Sequence, residues 1–257
     1  MTGADAPWSP TLAGFIEGPW LVESCRRLQK KRKARRPMGF AWLDRDPVGF
    51  AERARSLLDD GRWPHQRPRI VPIPKASGGA RRITVFLPEE QALHGALAAC
   101  LGLWLEGILT PAAWAFRPGR SVGAARHVAA RRIRAGAAFV ADLDIRDCFD
   151  TVPRARLIEH LADLGLADAD LRVLIERATG GAMGPAVGLD QGSPLSPVLC
   201  NAWLHRIDLR LGGRPGYMRY ADDIICLESN KDEAATAYAE IAAAISDGGQ
   251  RIHTKKS

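Results

Sequence analysis

Two short acidic stretches are where the residue types and spacing of this chain could do chemistry. In Met218-Arg219-Tyr220-Ala221-Asp222-Asp223-Ile224-Ile225-Cys226-Leu227, two adjacent carboxylates sit between two apolar runs. In Phe139-Val140-Ala141-Asp142-Leu143-Asp144-Ile145-Arg146-Asp147-Cys148-Phe149-Asp150, Asp142 and Asp144 alternate with apolar residues. Alternation of that kind puts both on one face of a strand. An acid at the end of a buried strand is costly until it meets a cation. Two like charges held side by side repel, and a divalent metal is the usual compensation. Magnesium takes one or two carboxylates and completes its shell with water and phosphate oxygens. A pair of such ions about 3.5–4 Å apart suits in-line attack of a hydroxyl on a phosphate. An isolated Asp-Asp pair is more simply a solvated turn, so the case rests on what surrounds it.

The elements that must position these acids can be read from periodicity. Residues 216–227 read as strand, tight turn and strand, with the turn pushing both carboxylates out of the sheet, where Arg219 is the nearest cation in sequence. Phe139 to Ile145 reads as another strand. Arg69-Ile70-Val71-Pro72-Ile73-Pro74-Lys75-Ala76-Ser77-Gly78-Gly79-Ala80-Arg81-Arg82-Ile83-Thr84-Val85 alternates on both sides of a Ser-Gly-Gly turn and describes a hairpin, with Lys75, Arg81 and Arg82 near one end. It is either a solubilising edge or a grip for phosphates. Helices are expected from Asp44 to Gly61, Pro88 to Glu106, Val122 to Ile133 behind a Ser121 cap, Val152 to Gly165, Leu171 to Thr179, and Val198 to Leu211. The last follows Gly188-Leu189-Asp190-Gln191-Gly192-Ser193-Pro194-Leu195-Ser196-Pro197, whose Gly192 permits close approach of a backbone or a flat ligand. Strand, helix and strand hairpin in this order are compatible with a split, ferredoxin-like βαβ arrangement.

At 257 residues and 46% hydrophobic composition the chain can bury a real core. Its net charge of +7 favours a polyanionic partner. Ser24 to Arg36 holds a run of cations including Arg32 and Arg35, which reads as a solvated arm or as a segment lying along a phosphate backbone. His127 sits among arginines and reads as a surface residue. The five cysteines show no CxxC pair, and Cys100, Cys200 and Cys226 lie in apolar runs as small core residues would. Nothing resembles a signal peptide or a span of about 20 apolar residues, so the expectation is a cytoplasmic protein with no membrane partner.

The ordered set RIVPIPKASGGARR, AFRPGRS, ADLDIRDCFD, GLDQGSPLSP and RYADDI resembles a reverse transcriptase of the bacterial group II intron lineage, whose relatives include intron maturases and CRISPR-associated reverse transcriptases. The resemblance covers residues 65 to 257. It implies an α+β right-hand polymerase with fingers and palm, the palm a ferredoxin-like antiparallel sheet backed by helices. Residues 1–64 would be a basic extension, 65–134 the fingers and 135–257 the palm, with a finger-like helical insertion at about 152–187. Asp144, Asp222 and Asp223 match the catalytic aspartates, with Ile145 beside Asp144 in the metal set. Lys75 and Arg81 match the residues that hold the incoming triphosphate, with Asp147, Cys148 and Phe149 also at the nucleotide and Asp147 acting through its backbone. Gln191 and Gly192 match the loop that packs on the nascent base pair. Arg117 and Arg120 in AFRPGRS, with Arg32 and Arg35, would contact nucleic acid. Two magnesium ions, replaceable by manganese, an RNA template, a DNA or RNA primer and nucleoside triphosphates complete the set. One ion would activate the primer hydroxyl and the other would steady the pyrophosphate.

Two departures shape the expectations. Cys148, four residues after Asp144, stands where this family often has a bulky side chain against the sugar 2′-hydroxyl, which implies weakened discrimination against ribonucleotides. The chain ends in Gln250-Arg251-Ile252-His253-Thr254-Lys255-Lys256-Ser257, which resembles the family's next motif, with Lys256 aligned to its lysine. In the family a thumb follows this motif, so a thumb or further domain supplied elsewhere is expected. The alternatives to RNA-directed DNA synthesis are a truncated or non-catalytic nucleic-acid-binding remnant and a polymerase of different template or sugar preference.

Overall fold

The computed structural model describes residues 8–32, 46–61, 69–74, 79–180 and 186–253. They divide into two compact units. The first holds the chain up to Trp104 with residues 161–184 and 190–196; the second holds 105–160, 185–189 and 197–257. No described helix is long and apolar enough to cross a membrane.

In the first unit, α1 (Leu12–Glu17), α2 (Trp20–Arg32) and α3 (Pro47–Asp59) precede a hairpin of β1 (Arg69–Pro74) and β2 (Ala80–Val85). Helix α3 starts where the Asp46 carboxylate accepts from Gly49 N–H and ends with Gly61 at φ 65°, which satisfies both ends locally. Helix α4 (Pro88–Glu106) buries Ala92, Leu93, Ala96, Leu97, Cys100 and Leu101, and α8 (Ala169–Ala178) buries Leu171 and Ile175. Each large apolar side chain removed from water contributes about 1.5–3 kcal/mol, so these buried residues stabilise the unit. The hairpin is exposed along nearly its whole length. Its prolines, Pro72 and Pro74, are tolerated because, among the described residues, β1 pairs with β2 alone.

The second unit is built on a three-stranded antiparallel sheet of order β3-β5-β4, with β3 spanning Phe139–Asp144, β4 Tyr217–Tyr220 and β5 Asp223–Glu228. Helices α5 (Val122–Arg134), α6 (Cys148–Thr151), the first turns of α7 (Arg154–Asp163), most of α9 (Leu195–Leu211) and α10 (Lys231–Asp247) complete it. Ser121 caps α5 by accepting from Ala124 N–H, and Asn230 caps α10 by accepting from Glu233 N–H. After α10 the chain returns beside β3. Arg146 N–H donates to Arg251 O and His253 N–H donates to Asp144 O, both at 2.8 Å, around an antiparallel bridge between Ile145 and Ile252. The sheet is therefore ferredoxin-like, with a rudimentary fourth strand where that topology requires one.

The two sheet faces differ in chemistry. Ala141, Leu143, Ile224 and Cys226 point inward, and Tyr217 and Arg219 on β4 share that face. Val140 and Asp142 on the other face are exposed, Asp144 is half-buried and Asp223 is exposed. The period-2 pattern of β3 thus separates core from acid as expected. Helix α10 packs on β3 and β5.

Candidate active site

The three aspartates meet at one end of this sheet. Asp144, the last residue of β3, is directly opposite Asp223, the first of β5. Residues so opposed have Cβ atoms about 4.5–5.5 Å apart, and like charges in that relation are destabilising. Asp222 lies in the two-residue connection between β4 and β5, with Ala221 at φ 58°. The structure refines the expected turn: only Asp222 is in it, while Asp223 belongs to the ladder.

The donor set fits a divalent cation. Hard carboxylate oxygens on adjacent strands are what magnesium takes, and a dication between Asp144 and Asp223 would turn their repulsion into attraction. Among the described residues no three His, Cys, Asp or Glu side chains form an all-protein cage. Carboxylates of this kind suit a hydrated ion that completes its shell with phosphate oxygens.

Arg219 does not neutralise the acidic turn. Its side chain goes to the buried face, where Nε and Nη2 donate to the two oxygens of Asp208 on α9 at 2.8 and 2.6 Å. Nη1 donates to Asn201 Oδ1 and to the carbonyl of Ala221, both at 3.0 Å. Tyr217 hydroxyl donates to Asp208 at 2.7 Å. Burial alone would raise the Asp208 pKa, but the Arg219 guanidinium with hydrogen bonds from Arg219, His205 and Tyr217 outweighs it and holds the carboxyl well below the usual range. For Arg219, burial works against the charge and Asp208 more than restores it. The sequence offered only the label of a nearby cation; its real role depends on a helix partner eleven residues upstream.

Arg117 is a correction. Expected on nucleic acid, it is 8% exposed and its guanidinium is committed internally. Nε and Nη2 donate to Glu106 at 2.9 and 2.8 Å, and Nη1 donates to the carbonyls of Thr110 and Ala113. This knits the loop that holds β4, where Arg219 N–H donates to Ala112 O and Trp114 N–H donates to Arg219 O. Arg120 is half-buried, its guanidinium 5.2 Å from the Trp114 ring centre and bonded to Pro111 O. Burial and then the neighbouring Arg117 charge lower its pKa.

Cys148 is a second correction. The thiol is 2% exposed and lies 3.7 Å from Cys200 Sγ, so it does not face outward as a sugar-contacting side chain would. Its hydrogen bond with Cys200, then burial, raises its pKa well above the ordinary value. Phe149, the next residue, is half-buried. Gln250 ties this region together. It donates to Cys148 O and Thr151 Oγ1 at 3.2 and 3.1 Å, and accepts from Trp203 Nε1 at 3.0 Å. Cys148→Phe is expected to overpack this pocket and cost about 1–3 kcal/mol, with the ratio of deoxy- to ribonucleotide use unchanged. Thermal melting and parallel incorporation assays check both.

Asp147 is in the left-handed region, φ 47° and ψ 45°, and with Arg146, Thr151, Gly249 and Arg251 lines a cleft of ≈ 320 Å³. Two guanidinium-bearing residues there make a setting for an anion. Gln191 and Gly192, like Arg81, belong to the first unit, whereas the aspartates belong to the second. Thr84 N–H donates to Gln191 O at 2.6 Å and Thr84 Oγ1 to Asp190 at 3.0 Å. Gly192 has φ 115°, and a Cβ there would run into the Thr84 carbonyl oxygen. Gly192→Ala should therefore cost about 1–3 kcal/mol and free this loop from β2, read by melting and by hydrogen exchange at Thr84. Arg81 is exposed on β2, opposite Ile73. Lys75, Arg35 and Lys256 lie outside the described residues, and Arg32 closes α2.

The family described as "Reverse transcriptase (RNA-dependent DNA polymerase)" matches residues 73–257. The chain belongs to the reverse transcriptase family. It is 38% identical over 173 residues to the retron Mx65 reverse transcriptase of Myxococcus xanthus, covering 59% of this chain and 38% of that protein. It is 27% identical over 181 residues to the group II intron-encoded protein LtrA of Lactococcus lactis subsp. cremoris, covering 65% of this chain and 29% of that protein. Among solved structures it is similar to a chain of the "Partial Cas6-RT-Cas1--Cas2 complex", with TM-score 0.51 and 26% identity over 93% of this chain and 43% of that one. The chain thus spans less than half the length of these relatives. The reverse transcriptase family works with divalent metal ions, which agrees with the oxygen donors at the end of β3 and β5.

Proposed function

We propose that this chain carries the nucleotidyl-transfer centre of an RNA-directed DNA polymerase, which extends a primer 3′-hydroxyl on an RNA template. The observation that carries the reading is the Asp144–Asp223 pair, opposed across two strands beside a turn holding Asp222, in a chain of the reverse transcriptase family.

Asp144, Asp222 and Asp223 would hold two magnesium ions, with Ile145 alongside. When bound, such ions lower the pKa of the attacking hydroxyl and neutralise charge on the α-phosphate and departing pyrophosphate. The protein's own part is positioning. The ladder fixes Asp144 against Asp223, and the hydrogen bond from Arg219 fixes the turn that carries Asp222. Little covalent chemistry falls to the protein in phosphoryl transfer, so geometry and charge account for most of its contribution. Nucleotide binding is assigned to Arg81 and Lys75, to the Gln191–Gly192 loop, to Asp147 and Phe149, and to Lys256. Residues 65–134 are read as fingers and 135–257 as palm, with the basic segment before residue 65, including Arg32 and Arg35, and Arg120 on the nucleic-acid backbone.

Primer extension on an RNA template with magnesium tests this reading, with the Asp222→Asn variant as control. Templated DNA product from the parent alone supports it. Magnesium-independent binding of primer–template with no extension would instead make the chain a binding remnant. A preference for ribonucleotides would make it a polymerase of different sugar choice.

A further inference from the structure

We propose that Arg219 is a positioning residue for the carboxylate-bearing turn, held in place by Asp208 and Asn201 of α9. The inference rests on the polymerase reading above and gives that site an internal support.

A charged side chain on the core face of a strand asks for an explanation. Arg219 is 1% exposed and Asp208 is fully buried. Desolvating two charges is costly, and replacing a buried ion pair with apolar residues of similar size is often neutral for stability or favourable. Apart from its hydrogen bonds to Tyr217 and Asn201, the fold therefore has no need of this pair that leucine and methionine could not meet. An apolar pair could not donate a hydrogen bond to the turn. Arg219 Nη1 does so, reaching Ala221 O and Asn201 Oδ1 at 3.0 Å each. The other two nitrogens grip Asp208, so the planar guanidinium cannot rotate without breaking several bonds at once.

The turn needs such a hold. Ala221 has φ 58°, a left-handed conformation that a non-glycine residue keeps only where its surroundings impose it. The backbone of Arg219 is itself fixed on both sides, by Ala112 O and Trp114 N–H. A continuous chain of contacts thus runs from α9 through Asp208, Asn201 and Arg219 to the carbonyl directly before Asp222. Loss of the guanidinium would leave the strands paired and release the turn.

The test compares the parent with Arg219→Met/Asp208→Leu, Arg219→Lys and Asn201→Ala. Melting temperature, manganese binding by calorimetry, and kcat and KM for a single-nucleotide addition are measured for each. The double variant is expected to melt within a few degrees of the parent. Its kcat should fall about 100-fold with KM little changed, since a misplacement of about 1 Å costs that much. Its manganese affinity should fall about 10–100-fold, as when outer partners of metal ligands are lost. Arg219→Lys keeps a charge beside Asp208 but lacks the fork and should be impaired in the same direction. A double variant with the parent's kcat and manganese affinity would overturn the proposal. Should the double variant fail to fold, Asn201→Ala decides, because it leaves the ion pair intact: weakened manganese binding supports positioning, and parent-like binding refutes it. A parent that binds manganese yet adds no nucleotide would sink the polymerase reading, while the manganese comparison would still decide the role of Arg219.

Discussion

Asp222→Asn is expected to lower the rate of nucleotide addition by about a thousand-fold while leaving the fold intact. Asparagine keeps the size and one oxygen of the side chain and removes the charge. Asp222 lies in the connection between β4 and β5, half-buried, so the ladder that pairs Tyr220 with Asp223 does not depend on its charge. The melting temperature should therefore stay within a few degrees. The rate should not, because removing one preorganised electrostatic partner of a transition state costs about 10²–10³-fold, and a charge at a dication is at the upper end. Asp144→Asn should fall as far, since Asp144 is the cross-strand partner of Asp223. An addition rate within ten-fold of the parent in either variant would mean that the carboxylates are not the centre of the reaction.

Asp208→Ala is expected to be the most destabilising single change in the second unit. It leaves the Arg219 guanidinium buried with no counter-charge and takes the acceptor from Tyr217 as well. Breaking a buried pair from one side costs about 3–5 kcal/mol. For a chain of this size that is roughly 10 °C in melting temperature. The same pair gives an acid signature. The Asp208 carboxyl is held below its ordinary pKa in the folded state, so the unfolded chain binds its proton first as pH falls. Its contribution is thus complete above the ordinary aspartate pKa, about 4, and is lost progressively below it. Denaturant melts from pH 7 to pH 3 should show the parent losing stability below about pH 4 more steeply than Arg219→Met/Asp208→Leu. Equal slopes would mean that the ion pair is not the source of the loss in acid.

Much of this architecture was legible because its signals are local. Helix α4 runs from Pro88 to Glu106 as periodicity and proline predict, Ser121 caps α5, and both hairpins fall where alternation places them. The acids of β3 were legible because period 2 separates Asp144 from Leu143. What sequence could not show is where a side chain goes when its partner is distant along the chain. Arg219 is read from its neighbours in sequence, Arg117 and Cys148 from the family resemblance, and each is turned inward by a partner elsewhere: Asp208, Glu106 and Cys200. Gln250 was part of a terminal motif until the structure placed it between Cys148 and Trp203, about a hundred and about fifty residues away. Helix α9 begins at Leu195, ahead of the apolar run, because Ser193 Oγ accepts from Leu195 N–H and starts the helix. Buried polar partners follow from which distant elements pack together, and no local pattern encodes that packing.

The role of the three aspartates is tested by addition of a single deoxynucleotide to a primer annealed to RNA, followed across a magnesium titration. A nucleotidyl-transfer centre at Asp144, Asp222 and Asp223 gives template-directed addition that begins only with magnesium, disappears on chelation, returns on re-addition, and is lost in Asp222→Asn. Primer–template binding by the parent with no addition at any magnesium or manganese concentration would contradict it.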